Sequence, residues 1–123
     1  MAELIEYHGW AVLFCRHADW TDDDWGYARD EVQKAVSALS EEDGHAAHMN
    51  CPANGGSVVA LNGWDETADS PLRVLRRIGE VAPHSYGELV VFPEASPEAA
   101  EARRYRMSEG VLRGPEAVGR ALE

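Results

Sequence analysis

The sequence predicts an α+β fold in which two helices and five strands alternate, and three observations predict it. Residues 7–16 are apolar on both sides of a period-2 count: Trp10, Val12 and Phe14 face one way, Ala11, Leu13 and Cys15 the other. A strand apolar on both faces belongs in the middle of a covered sheet. Residues 58–61 repeat that property, and two amphipathic stretches at helical spacing sit on either side of them.

Residues 1–6 lead into a first strand, roughly 5–16. Thr21 is a good N-cap, and Asp22, Asp23 and Asp24 occupy a first turn where the helix dipole favours anions. The helix that follows, 22–40, places Trp25, Ala28, Val32, Val36 and Leu39 on one stripe. After an acidic connection, residues 45–51 form a second strand that Pro52 confines to an edge. Asn54-Gly55-Gly56 predicts a hairpin into the third strand. Ser70 and Pro71 supply an N-cap and a first-turn proline. Leu72, Leu75, Ile78 and Val81 or Ala82 make the second buried stripe, and Pro83 ends that helix. A turn then leads to a strand at 88–92. Residues 93–101 connect it to a half-exposed strand at 103–108, in which Tyr105 and Met107 oppose Arg104 and Arg106. The tail predicts a short helix after Pro115. The first six elements follow the β-α-β-β-α-β order of a ferredoxin-like antiparallel sheet, with both helices on one face and one C-terminal strand appended. The other face is then an apolar surface for a second copy, the tail or a partner to cover.

A chain of 123 residues is one domain, 1–123, with enough length for a core. Its two cysteines, Cys15 and Cys51, read as buried free thiols. No basic segment followed by an apolar leader opens the chain, and its longest apolar run is too short to span a bilayer. The expectation is a soluble, cytoplasmic protein. The charge of −11 is unevenly placed: residues 1–69 carry 14 acids and 3 bases, whereas 70–123 carry 8 of each. Such a field repels nucleic acid and anionic membranes and draws in a basic partner.

Motifs for catalysis are thin. His8, His17, His45, His48 and His84 make no zinc spacing, and Cys15 with His17 or Cys51 with His48 lacks any sign of an oxyanion hole. No glycine-rich phosphate loop is present. The reading is therefore of a non-enzyme without cofactor or metal. Arg73, Arg76, Arg77, Arg103, Arg104 and Arg106 have no stacking aromatics among them, which favours pairing with the chain's own acids over a nucleic-acid patch. The strongest cluster is Asp19-Trp20-Thr21-Asp22-Asp23-Asp24-Trp25, and Trp64-Asp65-Glu66 repeats its pairing of aromatic and acid. An aromatic anchor ringed by carboxylates suits a basic protein partner.

Three strings resemble the immunity protein 7 family of bacterial polymorphic toxin systems. They are Tyr7-His8-Gly9-Trp10, Val81-Ala82-Pro83-His84-Ser85-Tyr86-Gly87 before Leu89-Val90-Val91, and Arg104-Tyr105-Arg106-Met107-Ser108-Glu109-Gly110 before Val111-Leu112. The resemblance implies a small α+β protein that binds and neutralises a toxin domain encoded beside it, often a nuclease or another effector that acts in the cytosol. With the charge pattern, it makes Asp19, Trp20, Asp22, Asp23, Asp24, Glu41, Glu42, Asp43, Asp65 and Glu66 the candidate toxin-binding residues. The competing expectation is a ferredoxin-like ligand-binding or regulatory module that dimerises through its open sheet face.

Overall fold

Period-2 and helical patterning produce six antiparallel strands and two helices in the computed structural model, which describes residues 4–51, 56–93 and 102–118. In chain order these are β1 (Ile5–Val12), α1 (Asp22–Ser40), β2 (His45–Asn50), β3 (Val58–Asp65), α2 (Asp69–Val81), β4 (Tyr86–Pro93), β5 (Arg103–Ser108) and β6 (Val111–Ala117). The sheet order is β2-β3-β1-β4-β5-β6. Both strands read as apolar on two faces, β1 and β3, lie inside the sheet. No helix among the described residues is long and apolar enough to cross a membrane.

The start of α1 follows from its sequence. The Thr21 hydroxyl accepts the Asp24 amide at 3.2 Å, and the Asp24 carboxylate accepts the Thr21 amide at 2.8 Å. This reciprocal box satisfies two amides that a helix start leaves orphaned. Ala28, Val32, Val36 and Leu39 are buried as the spacing requires, whereas Trp25 is only half-buried. From the sheet, Tyr7, Ala11, Leu13, Val59, Leu61, Leu89 and Met107 join those residues and Leu72, Leu75 and Ile78 in one core. Alternation along each strand leaves the even-numbered residues of β1, β3 and β4 on the opposite face.

Several details differ from the sequence reading. The first strand stops at Val12, though the Leu13 amide still bonds the Ser57 carbonyl at 3.0 Å. The second helix begins at Asp69 with Ala68 before it, so Ser70 is not the cap; Pro71 stays in the first turn, where its missing N–H costs nothing. The tail is a sixth strand and not a short helix. Glu109 (φ 52°) and Gly110 (φ 72°) both adopt positive φ, the two-residue turn that reverses a strand into a hairpin. Gly79 allows that turn to sit on α2, because a side chain there would overlap the Gly110 carbonyl. Cys15 is buried as expected, but Cys51 is exposed, since it lies beyond the edge strand β2. Asn54 and Gly55 of the predicted hairpin, and residues 94–101 of the connection after β4, lie outside the described residues.

Candidate functional site

The acidic half of the sequence is split in two by α1. A 19-residue helix is about 28 Å long. Asp22, Asp23 and Asp24 stand at its first turn, while Glu41, Glu42 and Asp43 follow its last. The fold then brings Asp65 and Glu66 to the second group, because Trp64 donates its amide to Gly44 at 2.9 Å and His45 donates to Glu42 at 3.2 Å. The ten candidate residues thus form two clusters at opposite ends of one helix. Among the described residues, Asp22, Asp23, Glu41, Asp43 and Glu66 form no ion pair. Asp24 is engaged in the cap. Trp20 is half-buried, its ring 4.8 Å from that of Trp25 at a T-shaped angle, so packing against Trp25 takes up part of its surface. Asp19 is exposed beside it.

Asp65 has further structural duties. Tyr7, Gly63 and His45 lie in one row across β1, β3 and β2. With no side chain at Gly63, the Tyr7 hydroxyl reaches across and lies 2.6 Å from His45 Nδ1. On the other side His45 Nε2 is 3.0 Å from Asp65 Oδ2. The carboxylate only accepts, so Nε2 carries the hydrogen and Nδ1 accepts from the phenol. The His45 side chain is 3% exposed, and the row satisfies every polar atom it buries. Burial, with the charges of Asp65 and Glu42 behind it, raises the Tyr7 pKa well above its ordinary value. Asp65 Oδ1 accepts the Glu66 amide at 2.6 Å, so both of its oxygens are held.

Sequence reasoning missed Tyr27, on the outer side of α1 between the two clusters and 60% exposed. Beside it, Arg77 of α2 donates to Glu31 at 2.7 Å and to Glu80 at 3.1 Å, and Lys34 donates to Glu31 at 2.8 Å. These bonds, with Lys34's the foremost cause, hold the Glu31 carboxyl below its ordinary pKa. An open groove of about 380 Å³ runs between the helices over Ala35, Ala38 and Val74. The arginines of β5 behave as self-paired groups: Arg104 and Arg106 share Glu116 at 3.1 and 3.2 Å.

The sheet face away from the helices carries Trp10, Tyr86 and Trp64, between 41 and 46% exposed, with Trp10 and Tyr86 edge to face. The parity of β1 settles which of its two apolar sets lies outward: it is Trp10 and Val12, with Phe14 continuing beyond the strand. One cluster of thiol and imidazole ligands also forms among the described residues. Cys15, His17 and His84 place one donor atom each within 4.8 Å of one another. Linear spacing hid it, because His84 arrives from the turn before β4.

The family model described as Immunity protein 7 matches residues 4–115. No curated protein matches the chain. Among solved structures, the de novo designed protein Foldit4 has a TM-score of 0.36 at 14% identity, covering 72% of this chain and 94% of that one. A crystal structure of aldoxime dehydratase has a TM-score of 0.34 at 11% identity; the match covers 95% of this chain but only 36% of the dehydratase. At these scores the likenesses to solved structures carry no argument, and identity rests on the family match. Spanning β1 to β5, most of β6 and both helices, that match shows that the chain belongs to the immunity protein 7 family, whose members protect against polymorphic toxins.

Proposed function

We propose that the protein acts in the cytoplasm and neutralises a basic toxin domain, of nuclease type, by docking the carboxylates at the ends of α1 onto it. The observation that carries this reading is the set of carboxylates without ion-pair partners among the described residues, Asp22, Asp23, Glu41, Asp43 and Glu66, flanking a helix with exposed Tyr27 on its second turn. Nucleases grip phosphates with basic surfaces, and unpaired carboxylates complement such a surface without needing chemistry of their own. Asp19 and half-buried Trp20 extend the first cluster; Glu42 and Asp65 extend the second.

The test uses the toxin domain encoded beside this gene. Binding kinetics are measured for the native chain, for Asp22→Asn with Asp23→Asn, and for Glu41→Gln with Asp43→Asn, over a salt series. Association slows in the variants and the salt dependence shallows, while dissociation changes little, as for charges that steer. Unchanged association in both variants refutes the acidic surface.

A second reading is favoured by the exposed Trp10, Trp64 and Tyr86: the open sheet face pairs with a second copy of the chain. Light scattering decides it. A dimer that Trp10→Ser disperses supports this reading, and a monomer at all concentrations excludes it.

A further inference from the structure

We propose that Cys15, His17 and His84 form a binding site for a zinc-class divalent cation. The proposal does not rest on how the toxin is bound. One thiol and two imidazoles are the donor set that selects zinc-like ions over magnesium or calcium. Their donor atoms already lie within 4.8 Å of one another. A tetrahedral zinc site, from its bond lengths, needs about 3.4 Å between nitrogens and about 3.6 Å between sulfur and nitrogen. Closing the remaining gap, at most about 1.4 Å, falls to His17, which is exposed on the loop between β1 and α1.

The other two donors are set by backbone. His84 donates its amide to the Phe14 carbonyl at 3.0 Å, and Phe14 donates its own to the Ser85 hydroxyl at 2.9 Å. These bonds clamp Phe14, the residue before Cys15, against His84 and Ser85 in the turn before β4. The rings of His17 and His84 are 5.0 Å apart at 71°. Neither the Cys15 thiol nor the His17 ring has a hydrogen bond among the described residues, so no other polar contact explains their convergence. Ligation competes with one contact: His84 Nδ1 accepts the Arg16 amide at 3.0 Å. Since a neutral imidazole has one free lone pair, the ring must turn or release that amide, and exposed Arg16 can give its N–H to water. On binding, the thiol loses its proton to solvent and the thiolate and two neutral imidazoles bond the cation, leaving a fourth position for water. The bound ion would tie the β1–α1 loop, and with it the Asp22 end of α1, to the sheet.

Cobalt(II) titration of the reduced full-length protein, in a Cys51→Ser background, is the test. The expected result is one ion per chain, with thiolate-to-cobalt absorption in the near ultraviolet and the intense visible bands of four-coordination, both erased by zinc. Cys15→Ser removes the near-ultraviolet band. His17→Ala, an exposed change that leaves the core alone, weakens binding by at least the ~10–100-fold typical of losing a supporting group. Weak six-coordinate spectra without a thiolate band overturn the proposal, as does tight binding that survives His17→Ala. Should Cys15→Ser fail to fold, the His17→Ala titration alone decides.

Discussion

Removing the Tyr7 hydroxyl tests the row that joins β1, β3 and β2. In Tyr7→Phe the ring stays and only the donor to His45 Nδ1 is lost. That nitrogen lies on a side chain 3% exposed, and the phenol is its hydrogen-bond partner. A buried acceptor left without its donor costs about 1–3 kcal/mol. Urea unfolding of a chain this size has a slope of about 1–3 kcal/mol per molar, so the midpoint falls by roughly 1 M. The pH dependence supplies a second readout. Burial and the charges of Asp65 and Glu42 raise the Tyr7 pKa, so the folded chain holds that proton more tightly than the unfolded one. Tyr7's contribution is therefore complete below the ordinary phenol value of 10.0 and is lost as pH rises above it. The loss is at most about 1.4 kcal/mol per pH unit. Tyr7→Phe lacks this decline, and the gap between the two proteins closes above that pH. Equal midpoints at pH 7, or curves that stay parallel into alkali, would refute the donor role of the phenol.

Two further outcomes follow from the same packing. Gly63→Ala drives a methyl into the Gly44 carbonyl and against the Tyr7 hydroxyl; backbone must move, and urea unfolding registers a loss of about 1–3 kcal/mol. Glu31→Gln removes a carboxylate held below its ordinary pKa by Lys34 and Arg77. Its stabilisation exists above the unfolded value of 4.5 and vanishes as pH falls, so the variant is the weaker at pH 7 and the two converge in acid. Thermal melts across that range read the convergence.

What the sequence made legible was whatever depends on neighbours along the chain. Thr21 and Asp24 announce the start of α1 because a cap is local, and Tyr105 and Met107 announce the buried side of β5 because alternation is local. The Tyr7–His45–Asp65 row was not legible, since it depends on register: Tyr7 opposes Gly63 and Gly63 opposes His45 only once three strands are paired. His84 reaches Cys15 for the same reason, through the pairing of β1 with β4. The tail shows a different failure. Pro115 suggests a helix start, yet Glu109-Gly110 already turns the chain back along β5, and an edge strand accepts proline. Charge was legible in amount but not in place, because nothing local says that α1 holds two acidic clusters apart.

That separation makes the binding reading sharper than net charge could. At physiological salt the screening length is about 8 Å, so clusters about 28 Å apart act independently. One compact basic patch on a toxin meets one end of α1 and ignores the other. A toxin that lies along the helix, over Tyr27, meets both. The two charge variants therefore separate these geometries: losses in association rate add, on a logarithmic scale, if the toxin spans α1, and only one variant responds if it caps an end. Tyr27→Ala then completes the assignment. Covered by a spanning contact, an exposed aromatic on the second turn of α1 is a point where truncation costs about 2 kcal/mol or more, seen in dissociation and not in association. Additive charge effects with no change in dissociation for Tyr27→Ala would mean that α1 steers the toxin without lying beneath it.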